Sequence, residues 1–187
     1  MSLFYSEKVK TLVIPIIAVT MTVSLLTLTG CFNRQPQPPQ EDGEPMDDRA
    51  REIILYFDAS TPQREYLAPE TRKVTGDNLP LRAIQELIKG PAEGSDLKPV
   101  LPKEAEVKSV RVEDGIAYVD FNKEFPESLN VGSSGEALVI SAIVNTLTEF
   151  PEIQKVQILI EGEKRESLAG HLDISQPLER NEAMIRR

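Results

Sequence analysis

The spacing of hydrophobic positions changes several times along this chain, and each change marks a segment. Residues 11–30, TLVIPIIAVTMTVSLLTLTG, are almost continuously apolar, whereas residues 32–50, FNRQPQPPQEDGEPMDDRA, carry very few apolar side chains. From Glu52 onward, EIILYFDAS predicts a β-strand that ends at polar turn residues. REYLAPETRKV predicts a second extended piece, whose Pro69 favours an edge or a bulge because proline cannot donate to a ladder. In NLPLRAIQELIKGP, Leu81, Ile84, Leu87 and Ile88 share a helical face. Asn78 can cap that helix, Pro80 suits its first turn, and Gly90-Pro91 stops it.

After the loop AEGSDLKPVLP the period drops to two. EVKSVRVEDGIAYVDFN predicts two strands, Val107/Ser109/Arg111 against Lys108/Val110/Val112, then Ala117/Val119/Phe121 against Ile116/Tyr118/Asp120. Asp114-Gly115 between them is a hairpin signal, since the primed turn needs positive φ at both central residues. A loop, KEFPESLNVGSSG, leads into EALVISAIVNTLTEFP, where Ile140, Ile143, Val144 and Leu147 recur at helical spacing and Leu138 and Ala142 widen the stripe. Ser133 or Ser134 can cap this helix, Glu136 suits the positive end of its dipole, and Pro151 ends it. KVQILIEG then gives a strand, and ESLAGHLDISQPL a short last strand or a turn. The polar end ERNEAMIRR is expected to fray.

These elements predict one α+β domain of ββαββαβ type, a mixed or largely antiparallel sheet with two main helices packed on one face. Its expected bounds are residues 52–175, followed by a polar tail over 176–187. No repeat of 20–50 residues interrupts the pattern.

The start of the chain changes the picture most. Lys8 and Lys10, the apolar run and then small residues follow the order of a secretory leader, expected over residues 1–30. A retained transmembrane anchor is the competing reading, since about twenty apolar residues can cross a bilayer. The ending separates the two. Leu28-Thr29-Gly30-Cys31 resembles the bacterial lipobox, which implies cleavage before Cys31 and attachment of diacylglycerol to its thiol. A lone cysteine is ordinarily a buried one, but Cys31 lies between a leader and a proline-rich tract, with nothing to pack against. Residues 31–51 then form an acidic linker; residues 32–50, at about 3.1 Å each when extended, reach about 60 Å. The protein is therefore expected on the extracytoplasmic face of a bacterial membrane, held there by its N-terminal lipid.

Charge and composition narrow the chemistry. The formal charge of −9 and the lack of a dense basic run exclude a nucleic-acid binder. With Cys31 alone there is no internal disulfide and no thiolate zinc site. EDGEPMDD, residues 41–48, lacks the ligand spacing of a calcium loop. His171 is the single imidazole, and a Ser-His-Asp arrangement would have to use it. Ser133 and Ser134 lie in GSSG, which lacks the spacing of a nucleophile elbow. Asp120, Glu124, Glu136 and Glu149 are the carboxylates that hydrolysis, for example of peptidoglycan, would require in pairs. The pattern places them at strand ends and helix ends, where they are expected to be solvated. A solute-binding lipoprotein is a third reading, for which this module is small. No catalytic residue, cofactor or metal site is assigned.

Several stretches in this order resemble the GerMN domain of bacterial sporulation and germination proteins. They are ILYF at 54–57, YLAPETRKV at 66–74, AIQELIKGP at 83–91, VLPKEAEVKSVRVEDGIAYVDFNKEF at 100–125 and GSSGEALVISAIVNTLTEFPEIQKVQILIEG at 132–162. The resemblance implies a lipoprotein or membrane-anchored envelope protein, a fold similar to ring-building modules of secretion-type assemblies, and association with other envelope proteins in place of catalysis. Several members carry two copies of the domain; this sequence has room for one.

Overall fold

The computed structural model describes residues 49–186. The expected leader, the motif Leu28-Thr29-Gly30-Cys31 and residues 31–48 of the linker lie outside the described residues.

Strand β1 (Arg51–Asp58) pairs antiparallel with β2 (Leu67–Val74), with Arg51 opposite Val74 at one end and Asp58 opposite Leu67 at the other. Ile53, Leu55 and Phe57 point into the core, as strand alternation requires. Tyr56, on the opposite face, is also buried. Pro69 is exposed on β2, where the missing N–H costs no internal ladder bond.

Helix α1 (Leu79–Lys89) starts where Asn78 Oδ1 accepts the Leu81 N–H at 3.0 Å. It ends at Gly90, whose φ of 88° a side chain would strain, with the Gly90 N–H donating to Leu87 O at 3.2 Å. Its buried stripe is Pro80, Ala83, Ile84 and Leu87, rotated slightly from the expected face, so that Leu81 and Ile88 lie at its margin.

Strands β3 (Val107–Glu113) and β4 (Ile116–Phe121) form the expected hairpin around Asp114 and Gly115, both at positive φ. Gly115 O accepts the Gln154 and Lys155 N–H groups, which docks the turn on the next strand. Strict alternation along β3 fails. A register shift between Val107 and Ser109 lets both Val107 and Val110 face the core, since an extra residue reverses which face follows.

Between β4 and β5 (Lys155–Ile160), which pair in parallel, the chain forms α2 (Glu124–Ser128) and α3 (Ser133–Leu147). Helix α2 falls within the expected loop and buries Phe125, whose ring centroid lies 4.6 Å from that of Phe121. Strands β6 (Glu163–Lys164) and β7 (Leu178–Glu179) both pair with β5, at its C-terminal and N-terminal ends respectively. The α+β architecture is the one expected, with the strands divided between a two-stranded ladder, β1-β2, and a mixed sheet in the order β3-β4-β5-β6, with β7 also on β5.

Helix α3 packs against β1, α1 and β5, so every residue from Leu138 to Leu147 is buried, not one stripe only. A helix apolar on all sides is stable only when it is covered on all sides. The last residues, expected to fray, are docked. A 3-10 turn (Glu182–Met184) precedes Ile185, which bridges to Leu67, and the Arg186 N–H donates to Leu67 O at 2.7 Å. Two backbone contacts and the half-buried Met184 and Ile185 hold a segment that its polar composition would leave free.

Candidate functional site

Two polar clusters tie distant parts of the chain to α3, and they contain two of the four candidate carboxylates, Glu136 and Glu149. The first centres on Glu136, in the first turn of α3. The chain enters the helix at Gly132, with no side-chain cap, and Ser133 and Ser134 are exposed in its first turn. The expected serine cap is therefore absent, because the serines lie inside the helix and not at its flanking position. Glu136 does not project into solvent either. It is wholly buried and faces the segment between β6 and β7. Its Oε1 accepts the Leu168 and Ala169 N–H groups at 2.9 and 2.8 Å, and its Oε2 accepts the His171 N–H at 2.8 Å. Both oxygens are engaged, and a loop that makes few ladder bonds of its own has its N–H groups satisfied. The His171 backbone is thus held from within, while the residue as a whole is exposed.

The second cluster lies at the other end of α3. The Tyr56 hydroxyl donates to Glu149 Oε1 at 2.6 Å, and Arg180 Nη2 donates to both Tyr56 Oη and Glu149 Oε1 at 2.7 Å. The Arg180 guanidinium lies 5.2 Å from the Tyr56 ring centroid and donates through Nη1 to Asn145 O at 2.9 Å. Asn145 exchanges two bonds with the backbone of Asn181, Nδ2 to O at 3.0 Å and N–H to Oδ1 at 2.8 Å. Thr146 Oγ1 accepts the Tyr56 N–H at 3.1 Å, which satisfies a donor on the side of β1 that no strand covers. Burial, reinforced by the Glu149 hydrogen bond, holds the Tyr56 hydroxyl above its ordinary pKa despite the opposing effect of Arg180.

The other two candidate carboxylates stand apart from these. Asp120 Oδ1 accepts the Gly162 N–H at 2.7 Å, and the exposed Glu124 lies 3.9 Å from Lys123 Nζ. No two of Asp120, Glu124, Glu136 and Glu149 share a hydrogen-bond partner among the described residues. Two carboxylates arranged as acid and base about a cleft would have free oxygens turned towards it. Here both oxygens of the buried Glu136, and Oε1 of the partly exposed Glu149, serve as acceptors that join segments. The expectation of solvation is overturned for Glu136, which the segment after β6 covers, whereas Glu149 keeps a quarter of its side-chain surface exposed.

The pattern of α3 carried a sign of this. Ser141 and Asn145 within the helix and Glu149 just beyond it recur at intervals of four, a polar line that must meet polar partners when the helix is covered on all sides. Those partners, Asn181 and Arg180, lie in the polar end of the chain, and nothing in local sequence directs them there. Among the described residues no group of three or more His, Cys, Asp or Glu side chains is placed to hold a metal ion. None of the described helices is long and apolar enough to cross a membrane.

Comparison with known proteins agrees with this architecture. The family model Germane, described as sporulation and spore germination, matches residues 54–166. The spore germination protein GerM of Bacillus subtilis is 31% identical over 120 residues, which is 59% of this chain and 31% of that protein, so the match spans under a third of the relative's length. A crystal structure of a Clostridium perfringens protein provisionally named a lipoprotein is similar at 32% identity and a TM-score of 0.52, covering 70% of this chain and 87% of that one. The tandem GerMN domains of the Bacillus subtilis sporulation protein GerM align with a TM-score of 0.58 at 22% identity, over 74% of this chain and 48% of theirs, a likeness of fold.

Proposed function

Because the chain belongs to the Germane family of sporulation and spore-germination domains, we propose that it is a lipid-anchored, extracytoplasmic protein whose GerMN-type domain associates with other envelope proteins and catalyses no reaction. The observation that carries the non-catalytic reading is the use of Glu136 and Glu149: both Glu136 oxygens and Glu149 Oε1 hold the fold together. A general base needs a lone pair directed at a substrate proton, and Glu136 directs both of its oxygens at internal N–H groups.

The anchoring half of the reading comes from sequence. Leu28-Thr29-Gly30-Cys31 closes an apolar run, and the likeness to a protein provisionally named a lipoprotein supports it. Two acyl chains on Cys31 would hold the protein firmly, since each buried methylene contributes about 0.8 kcal/mol. A role in sporulation or germination is the biological setting that the family and the GerM relative support.

Site-specific crosslinking from exposed domain positions in intact cells tests the association. The reading expects a discrete protein adduct whose yield is unchanged when Asp120 or Glu124 is replaced by its amide. Crosslinks that never exceed those of a secreted control domain would count against it.

A further inference from the structure

The turn between β1 and β2 and the end of the chain enclose a groove of about 690 Å³, lined by Thr61, Arg64, Tyr66, Ala183, Ile185 and Arg186. That size suits a group of a few residues. The Arg64 guanidinium lies 4.9 Å from the Tyr66 ring centroid and donates through Nη2 to Ala183 O at 3.4 Å. Arg186 is held in place by its N–H bond to Leu67 O.

Three arginines on this acidic protein are held by carboxylates: Arg72 by Glu70 and Glu86, Arg111 by Glu113, Arg180 by Glu149 and Glu182. Neither Arg64 nor Arg186 pairs with a carboxylate among the described residues, yet both line one groove. Glu182 also lines it, but Arg180 Nε holds that carboxylate. On the far side of Arg64 a second groove shares Thr61 and Arg64 but adds Glu65, which disfavours an acidic ligand there, so the candidate site is the first groove.

We propose that this groove binds an acidic, extended peptide segment of a partner protein, with Arg64 and Arg186 each taking a carboxylate. The proposal rests on the association reading and names the chemistry of its partner. The guanidinium fork matches a planar carboxylate in two parallel hydrogen bonds. The apolar Ala183 and Ile185 beside the arginines suit a peptide backbone and small side chains.

The full lipidated chain in neutral detergent is titrated with an acetylated, amidated hexapeptide of alternating Glu and Ala, with its Gln-Ala counterpart, and with inorganic phosphate. The Glu-Ala peptide is expected to bind saturably, at least tenfold more weakly to the Arg64→Gln/Arg186→Gln variant, and within twofold of wild type to Arg165→Gln, an exposed arginine elsewhere. Arg64→Lys, which keeps charge but loses the fork, is expected to fall between. The proposal is overturned by absent binding, by equal binding of the Gln-Ala peptide, by an equal loss in Arg165→Gln, or by saturable binding of phosphate alone. In intact cells, a wild-type crosslink that the double variant retains would overturn the groove and leave association standing.

Discussion

The hydroxyl of Tyr56 on β1 donates to Glu149 just beyond α3 at 2.6 Å, although 93 residues separate them in the chain. Arg180, from the polar C-terminal segment, closes the triangle with a bond to each. A strand, a helix end and the last segment of the chain thereby meet at one point. Replacement of Glu149 by Ala removes the acceptor that the Tyr56 hydroxyl and Arg180 Nη2 share, and should cost about 1–3 kcal/mol. Urea unfolding checks this; a midpoint equal to wild type would mean that the contact contributes nothing.

Glu136→Gln tests the second cluster. The amide oxygen can still serve Leu168 and Ala169, but the amide nitrogen then faces the His171 N–H, donor against donor. The expected loss is about 1–3 kcal/mol. Hydrogen exchange at the His171 amide should accelerate more than at Leu168. Uniform acceleration across residues 166–174 would instead indicate that the loop has come free as a whole.

Stability should fall at high pH through Tyr56. Burial and Glu149 raise its pKa in the folded state above the ordinary 10.0. A group whose folded pKa is raised contributes stability that is full below the unfolded value and is lost as pH rises through the folded one. Alkaline unfolding should therefore steepen above about pH 10, and Tyr56→Phe should flatten that limb. An identical alkaline limb in the variant would contradict the assignment.

At low pH the sign reverses for Glu86. Burial raises its pKa, but the hydrogen bonds from Lys89 and Arg72 outweigh that and hold it below the ordinary 4.5. A depressed carboxyl contributes stability above its unfolded pKa and loses it as pH falls through the folded one. Glu86→Gln should lower stability at neutral pH and narrow the gap to wild type in acid. A gap independent of pH between neutrality and pH 3 would show that Glu86 acts through packing alone.

Ile143 lies on α3 with no exposed surface. Ile143→Asp buries an unpaired charge and should cost several kcal/mol, on the order of the penalties known for such changes. Here sequence and structure agree, because helical spacing alone assigns Ile143 to the core. The Asp114-Gly115 turn and the Asn78 and Gly90 ends of α1 were legible for a related reason: each is decided within four residues by turn or cap chemistry. The Val107 to Ser109 bulge, the Glu136 loop and the Tyr56, Glu149 and Arg180 triangle were not, since each depends on which distant segment arrives. Sequence composition marks ERNEAMIRR as polar and cannot show that Asn145 and Leu67 offer its backbone partners.

Cys31 is the residue on which the proposed membrane anchor depends. Growth with a labelled fatty acid, followed by membrane fractionation, should give a labelled, membrane-bound protein for wild type and an unlabelled one for Cys31→Ser. Label retained in Cys31→Ser, or wild-type protein without label, would contradict the lipid anchor.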